Sequence, residues 1–330
     1  MGQSPLHEDA GGPGVRTMSE SARFECASYE AEDTLLSYLD SGAGTPVLHL
    51  SHANGFPISV YLPLMSELAK GFRVIGLSLR GQDGLGEGIL SWHRLAMDLI
   101  GFLDSLRVGP VLGLGHSIGA VTTMFSAARR PDLFSGIVLL DPVLLPRRYI
   151  FLTRLLKLAG RKDRFPLAVR ARKRRNGWQS RREALEFFRG KNLFQGWEES
   201  FLRAYVTYAL RPDADGRLVL VCPPEAEARG FENYPVDVWS WPRRLRTPTL
   251  LVRGEHSEVL TKGCYERFLR LCPVARGAIV AMAGHFLPMQ NPSETIRLVR
   301  EFSVVSNPSP PREANRQEPP SKRSPSGCPG

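Results

Sequence analysis

The stretch of sequence at residues 115–119, GHSIG, decides the fold. It follows directly on the apolar run 110–115 (PVLGLG), which is typical of a buried strand, and it leads into a helix-period segment at 118–130. A serine at a sharp strand-to-helix turn is held in a strained backbone conformation with its hydroxyl exposed, and flanking glycines avoid the clash that a Cβ would cause. The helix N-terminus faces developing negative charge. A glycine-rich packing turn is the alternative, but the strand before and the helix after favour Ser117 as a nucleophile.

Short apolar runs alternate with helix-period segments on both sides of this turn. The runs are nearly all apolar, which is expected when helices cover both faces of a sheet. Ser91 is a candidate N-cap for one helix, and Pro292 lies in the first turn of the last one. The alternation predicts an α/β fold with a mainly parallel, twisted sheet flanked by helices. The predicted strands are 46–51, 73–79, 110–115, 136–140, 248–253 and 278–282, after an opening pair at 23–29 and 35–39 that is expected to form an antiparallel edge.

The alternation is interrupted once, between residues 142 and 246. That segment is rich in Arg, Trp, Phe and Tyr and is too long for a loop, so we expect a basic, mainly helical cap inserted after the sixth strand. The core then comprises 21–141 and 247–304. Residues 1–20 and 305–330 are polar and rich in Gly, Pro or Ser, which predicts a disordered N-terminal extension and a disordered C-terminal tail.

Composition limits the class of protein. The five cysteines are scattered, odd in number and without C-x-x-C spacing, which argues against a disulfide framework or a zinc site and for a reducing compartment. We expect no metal, no cofactor, no secretory signal, no membrane span and a cytoplasmic location. The net charge of +10 is concentrated in residues 147–183, which carry fourteen Arg and Lys against Asp163 and Glu183. Because the net positive charge lies in one basic insert and not in the rest of the chain, it does not predict nucleic-acid binding.

A nucleophilic serine needs a base and an acid later in the chain. Of seven histidines, only His256 and His285 follow Ser117, and the latter lies in a loop between the last strand and the last helix. His285 is therefore the predicted general base. For the acid, Glu258 is our first choice because it lies in the loop that follows the strand 248–253. Asp141, directly after the strand 136–140, is the alternative.

The oxyanion hole should consist of backbone N–H groups. One donor follows the nucleophile, at Ile118, and the other should lie in the loop 52–57 (HANGFP) after the first core strand. The glycine in that loop permits close backbone approach, so Phe56 N–H is the expected second donor. His52 is interpreted as a brace for the loop rather than as a catalytic group.

The strand order, the GHSIG turn, the HANGFP loop, the late acid and the GHFLP histidine together resemble the α/β-hydrolase superfamily over about residues 22–304. The sequence is similar to its capped branch of esterases, C–C hydrolases and cofactor-free haloperoxidases. The resemblance implies hydrolysis of a small-molecule carboxylic ester through an acyl-enzyme. The alternatives are a C–C bond hydrolase or perhydrolase, a thioesterase or lysophospholipase-like enzyme for an anionic substrate, and a non-catalytic binding protein on this scaffold.

One segment departs from the family pattern. Members often have Asp-x-Arg-Gly-His-Gly after the fourth strand, where this chain has SLRGQD at residues 78–83. Since those residues usually brace loops, the change weakens the assignment to a subfamily more than the assignment of an activity.

The cap has two basic features, 147–160 (RRYIFLTRLLKLAG) and 170–175 (RARKRR). They are compatible with a lid that makes peripheral contact with anionic membranes, or with an anion-binding collar. We favour a solvated outer face, since charge runs usually face solvent. The apolar side of the first segment, with Ile150, Leu152, Leu155 and Leu156, would then roof the pocket. The aromatic residues of this region are expected to form mainly the cap core: Trp178, Phe187, Phe188, Phe194, Trp197, Tyr205, Trp239 and Trp241.

Overall fold

The computed structural model describes residues 23–84, 88–89 and 91–306. The predicted N-terminal extension 1–20 lies outside the described residues, as does the predicted tail beyond residue 306. The last helix ends at Ser306, two residues into the segment predicted as tail.

Ten strands lie in the described part of the chain, eight of them in one sheet of order β1-β2-β4-β3-β5-β6-β9-β10. β2 pairs antiparallel with β1 and β4, and all the other neighbours in the sheet are parallel. This confirms the mainly parallel α/β sheet with an antiparallel edge. The strands are β1 (Glu25–Ala31), β2 (Thr34–Asp40), β3 (Val47–Ser51), β4 (Arg73–Leu77), β5 (Val111–His116), β6 (Phe134–Leu140), β7 (Leu210–Pro212), β8 (Leu218–Leu220), β9 (Thr249–Gly254) and β10 (Ala275–Val280).

Helices cover both faces of the sheet. Successive strand residues enter opposite cores: Ile137 and Leu139 of β6 belong to one apolar cluster, and Val138 and Leu140 belong to the other. The central strands are therefore buried on both faces, which explains their continuous apolar runs. The α-helices are α1 (Leu62–Leu68), α2 (Trp92–Leu106), α3 (Ile118–Arg129), α4 (Arg147–Leu158), α5 (Pro166–Arg172), α6 (Arg181–Arg189), α7 (Glu199–Tyr208), α8 (Pro224–Glu232), α9 (Lys262–Leu271), α10 (Leu287–Gln290) and α11 (Pro292–Ser306).

The last strand differs from its prediction. β10 begins at Ala275 rather than at residue 278, and within it only Val280 is fully buried. β10 is the edge of the sheet and pairs with β9 alone. An edge strand does not need the two-sided apolar pattern of a central one, so its first residues carried no strand signal.

The segment 142–246 follows the sixth strand and contains α4 to α8 with the small hairpin of β7 and β8. It packs on the core at several places, two of which lie near the loop after β3 and at α2. Aromatic side chains of the segment contact the loop after β3, and Trp92 Nε1 of α2 donates a hydrogen bond to Gly230 O of α8 at 2.8 Å. None of the described helices has the length and apolar character needed to cross a membrane.

Candidate active site

Three side chains meet at the carboxyl edge of the sheet. Ser117 follows β5, Asp141 follows the neighbouring strand β6, and His285 lies in the loop after β10. His285 Nε2 is 3.0 Å from Ser117 Oγ, and His285 Nδ1 is 2.7 Å from Asp141 Oδ2. A carboxylate only accepts hydrogen bonds, so Nδ1 carries the proton in this arrangement and Nε2 is free to accept the serine proton.

The turn that carries Ser117 has the geometry that the sequence predicts. Ser117 has φ 59° and ψ −118°, a strained combination for a residue with a side chain. A Cβ on Gly115 would lie 2.5 Å from Ala120 Cα, and a Cβ on Gly119 would lie 2.2 Å from Ser51 O. Both glycines are therefore required by close backbone approach, as expected, and the second one brings the start of α3 against the end of β3.

Asp141 is held from several directions. Its side chain is fully buried, and its φ of 42° turns the chain sharply at the end of β6. Besides the contact with His285, its carboxylate accepts hydrogen bonds from Gly254 N at 3.2 Å and from Ser257 Oγ at 2.6 Å. Donors on three sides fix the carboxylate in one position behind the imidazole.

The structure corrects our first choice of acid. Glu258 is exposed, and Asp141, the alternative, is the carboxylate that contacts His285. The loop after β9 does reach this region, but it contributes the hydroxyl of Ser257 to Asp141 rather than a carboxylate to His285. The reason is the strand order, since β6 lies beside β5 and β9 is one strand further away.

The two residues predicted to donate to an oxyanion lie close to the serine turn. Ile118 is the first residue of α3, where a backbone N–H has no acceptor within the helix. Phe56 ends a tight turn after β3, with its N–H 3.3 Å from Ala53 O. A Cβ on Gly119 would lie 2.6 Å from His52 O, so the loop and the turn are in close contact.

His52 braces the loop, as the sequence analysis expected. Its Nδ1 donates to Ala53 O at 2.9 Å, and its Nε2 accepts from Leu79 N at 2.8 Å. Burial lowers the pKa of His52 to about 4, so the ring is neutral near pH 7 and both contacts are satisfied.

A second brace, Gln82, was not among the predicted site residues. Its Oε1 accepts from Gly55 N at 2.5 Å, and its Nε2 donates to Asn54 Oδ1 at 3.0 Å. Gln82 stands where the family pattern has histidine, so the departure keeps the bracing role that the position usually has. The signal was present in the sequence, in the segment 78–83.

A buried hydrogen-bond relay joins the β3 loop to the His285 loop. Ala53 N donates to Tyr61 Oη at 3.1 Å, Tyr61 Oη is 2.6 Å from His116 Nδ1, and His116 Nε2 is 2.9 Å from His285 O. Burial holds the pKa of His116 well below its usual value, so the ring is neutral. Since a carbonyl only accepts, Nε2 carries the proton and Tyr61 donates to Nδ1. No sequence pattern pointed to Tyr61.

Aromatic side chains of the cap cover the site. The ring of Phe56 lies 5.9 Å from Trp197, 5.5 Å from Tyr205 and 5.1 Å from Phe286. Trp197 also packs on Phe286, the neighbour of His285, at 5.3 Å. The cap-core interpretation holds for Trp178, Phe187, Phe188 and Phe194, which pack on one another, and Trp197 and Tyr205 also form the surface against the β3 loop. It is wrong for Trp241, which packs on Phe125 of α3, and for Trp239, which lies under Arg267 of α9. Ser117 is only 6% exposed.

The basic run 170–175 is not simply a solvated face. Arg172 pairs with Glu225 at 2.7 Å and with Glu232, and Arg174 pairs with Glu227. Arg174 also donates to Tyr205 Oη at 2.6 Å. These cations are compensated within the cap, because α5 and α8 pack together, and they do not form an open anion-binding collar.

Metal ligands are not grouped in the part of the chain that the structure describes: no set of three His, Cys, Asp or Glu side chains could hold an ion there. Cys26, Cys222, Cys264 and Cys272 are free thiols, and the fifth cysteine lies outside the described residues. The contacts among Ser117, His285 and Asp141 are those that acid–base and nucleophilic chemistry uses.

Known proteins share this architecture. The chain is 25% identical over 288 residues to the 2-(acetamidomethylene)succinate hydrolase of Mesorhizobium japonicum, covering 81% of this chain and 91% of that protein. It is 22% identical over 243 residues to Esterase YbfF of Escherichia coli, covering 72% of this chain and 85% of that protein. A solved structure of E-2-(acetamidomethylene)succinate hydrolase superposes with a TM-score of 0.72 at 21% identity, covering 85% of this chain and 99% of that one.

A family model described as "Alpha/beta hydrolase family" matches residues 47–298, most of the chain. The match includes Ser117, Asp141 and His285. Such relatives and such a family support hydrolytic activity. The chain belongs to the alpha/beta hydrolase family.

Proposed function

We propose that this protein hydrolyses carboxylic esters through an acyl-enzyme formed on Ser117. The observation that carries the proposal is the continuous contact from Ser117 Oγ to His285 Nε2 at 3.0 Å and from His285 Nδ1 to Asp141 at 2.7 Å. A nucleophile, a base and an orienting acid in hydrogen-bond reach are the parts that acyl transfer needs. The esterase named among the relatives supports the same class of substrate.

In the first half-reaction, Ser117 Oγ attacks the ester carbonyl carbon and its proton moves to His285 Nε2. The tetrahedral intermediate collapses, the carbon–oxygen bond to the alcohol breaks, and the imidazolium returns the proton to the departing alkoxide. Asp141 keeps the ring oriented and stabilises its positive charge. Water then attacks the acyl-enzyme, giving its proton to His285, which passes it to Ser117 as the carboxylic acid leaves.

The negative charge on the carbonyl oxygen needs donors that are already in place. Ile118 N–H at the start of α3 and Phe56 N–H in the β3 loop are our candidates, in a region where Ser117 is nearly buried. Fixed donors in a water-poor site stabilise the developing charge more than water would. The contact of Phe56 N–H with Ala53 O is long at 3.3 Å, so this N–H can also donate to an oxyanion.

The surroundings favour an uncharged substrate with an apolar group. Phe56, Trp197 and Phe286 pack near the serine turn. Arg174 beside the loop pairs with Glu227 and donates a hydrogen bond to Tyr205. A second candidate substrate is 2-(acetamidomethylene)succinate, because the relative named for it covers most of both chains. That substrate is a dianion, whereas the cation beside the β3 loop, Arg174, is already paired with Glu227.

Labelling with a fluorophosphonate probe tests the proposal. We expect the wild type to be modified at Ser117, the Ser117→Ala variant to be unlabelled, and Ser105→Ala, a partly exposed serine on α2, to be labelled normally. Turnover of a series of p-nitrophenyl esters from acetate to laurate should fall by about 10³-fold or more in Ser117→Ala. Unchanged turnover would contradict the proposal, and an unlabelled wild type would indicate a binding protein instead.

Turnover of 2-(acetamidomethylene)succinate is measured in parallel with the ester series. Turnover of that compound above the best ester would favour the second candidate. The serine and its partners are common to both, so only the substrate profile separates them.

A further inference from the structure

The cap helix α4 turns apolar side chains toward solvent. Phe151 is 64% exposed, Leu155 is 47% exposed and Leu158 is 80% exposed, and Thr153 is the only residue of this helix that is fully buried. The expectation that Leu152 and Leu155 roof the pocket is therefore wrong. Large exposed apolar side chains grouped on one short helix indicate a surface that binds another protein, a ligand or a membrane.

The exposed side chains share one face. Each helical residue advances by about 100°, which places 150, 153 and 157 on one side and 151, 155 and 158 on the other. The first side faces inward, since Ile150 packs on the core and Lys157 Nζ reaches Tyr234 O at 2.8 Å. The second side, which we call the α4 face and define as Phe151, Leu155 and Leu158, points away from the protein.

Positive charge surrounds the α4 face. Residues 147–164 contain seven Arg and Lys and a single acidic residue, Asp163, whose carboxylate lies 4.0 Å from Arg161. Arg147, Arg148 and Arg154 are exposed on the helix itself. This differs from the run 170–175, where Arg172, Arg174 and Arg175 pair with glutamates.

We propose that the α4 face docks this protein on membrane surfaces that contain anionic phospholipid. An apolar helix face with cations beside it fits the boundary between headgroups and acyl chains, where side chains insert and cations meet lipid phosphates. Charge complementarity favours an anionic membrane over a second copy of this chain as the partner of the α4 face. Two copies of this chain meeting through the α4 face would bring two strongly cationic segments together, which is unfavourable.

Membrane docking through the α4 face does not depend on the proposed ester hydrolysis, although α4 and Asp141 are close in sequence. α4 begins six residues after Asp141, so a docked helix would hold the cap near the lipid surface. None of the side chains of the α4 face contacts the Ser117, His285 and Asp141 group. Docking can therefore be measured on a catalytically silent chain.

Co-sedimentation with sucrose-loaded vesicles tests the proposal on the full chain. We expect binding to phosphatidylcholine vesicles with about one third phosphatidylglycerol, and at least tenfold weaker binding to phosphatidylcholine alone or in 0.5 M NaCl. Ser117→Ala should bind like the wild type. Equal binding to both kinds of vesicle, or to neither, would overturn the proposal.

Paired variants separate the α4 face from general effects. Phe151→Ser with Leu158→Ser should reduce vesicle binding at least tenfold, while Met97→Ser with Val304→Ser, two exposed apolar residues on other helices, should not. Arg148→Glu with Arg154→Glu should act like the first pair, and Arg276→Glu with Arg300→Glu like the second. All variants should keep the wild-type circular dichroism and ester turnover in solution.

Sedimentation velocity without lipid tests the alternative that a second copy of the chain covers the α4 face. A dimer that the Phe151→Ser and Leu158→Ser pair converts to a monomer, in a protein that ignores anionic vesicles, would mean that a second copy covers the α4 face. That outcome would overturn the membrane proposal.

Discussion

The Asp141 carboxylate lies 2.7 Å from His285 Nδ1, although 143 residues separate the two in the chain. Asp141 reaches this position because β6 is the immediate neighbour of β5, the strand that ends at the nucleophile. Gly254 and Ser257, from the end of β9 and the loop after it, then donate hydrogen bonds to the same carboxylate. The carboxylate that contacts His285 thus follows one strand, and donors from the next strand and its loop hold it in position.

Exchange of the acid is the first prediction. Asp141→Asn should lower kcat for an ester by about 10³ to 10⁴-fold, because an amide cannot hold the imidazole in the required tautomer or stabilise its positive charge. Glu258→Gln should stay within about twofold of the wild type, because that side chain is exposed. Steady-state kinetics on p-nitrophenyl butyrate measure both.

The relative effects of Asp141→Asn and Glu258→Gln on kcat identify which carboxylate acts as the acid. If Glu258→Gln is the more damaging change, then the acid at the end of β6 is structural and the sequence-based choice was right. Equal stability of the two variants in urea is the control, since Asp141→Asn also alters a buried hydrogen-bond group.

Gln82 provides the second prediction. Gln82→Met keeps the volume of the side chain but removes the acceptor for Gly55 N–H and the donor to Asn54. The β3 loop then loses its brace beside Phe56, and kcat should fall by about 10- to 100-fold through misplaced oxyanion donors. Gln179→Met, on the exposed surface of the cap, is the matched control. Wild-type kcat in Gln82→Met would remove Gln82 from the site.

The buried relay gives the third prediction. Tyr61→Phe leaves Ala53 N–H and His116 Nδ1 without their common partner, so the free energy of unfolding should drop by about 1–3 kcal/mol. Tyr208→Phe, an exposed position on α7, should change it by less than about 0.5 kcal/mol. Urea unfolding followed by tryptophan fluorescence compares them, and equal losses would show that the relay does not matter for stability.

Local signals explain what the sequence predicted. Ser117 and His285 each lie beside a strand or helix that can be recognised from a short stretch of consecutive residues. The apolar runs of the central strands follow from their burial on two faces. The need for glycine at 115 and 119 could be predicted because a serine at a strand-to-helix turn requires close backbone contacts at these two positions. These features need no knowledge of which strands are neighbours.

The features that were missed depend on long-range arrangement. Choosing between Asp141 and Glu258 requires the order of strands in the sheet, which no periodicity contains. The pattern of α4 reveals an apolar face but not its direction, so Leu155 was assigned inward although it is exposed. The partner of Arg174 is Glu227, 53 residues away in the chain, and only the packing of α5 on α8 brings them together.

Acid sensitivity is the last prediction and rests on His49 in the centre of the sheet. Burial lowers the pKa of His49 to about 3, against 6.5 for the free side chain, and neither ring nitrogen has a hydrogen-bond partner among the described residues. Above pH 6.5 the ring is neutral in both states and contributes no pH dependence. Between pH 6.5 and about 3 only the unfolded chain binds the proton, so stability falls as the pH falls.

His49→Met removes this coupling at similar volume. The decrease in the free energy of unfolding between pH 6 and pH 4 should become shallower by up to about 1.4 kcal/mol per pH unit. At pH 7.5 the variant should lie within about 1.5 kcal/mol of the wild type, because an apolar side chain replaces a buried polar group without partners. His256→Met, at an exposed position, is the control in the same urea titrations. Parallel curves for the wild type and His49→Met would mean that protonation of His49 does not limit stability in acid.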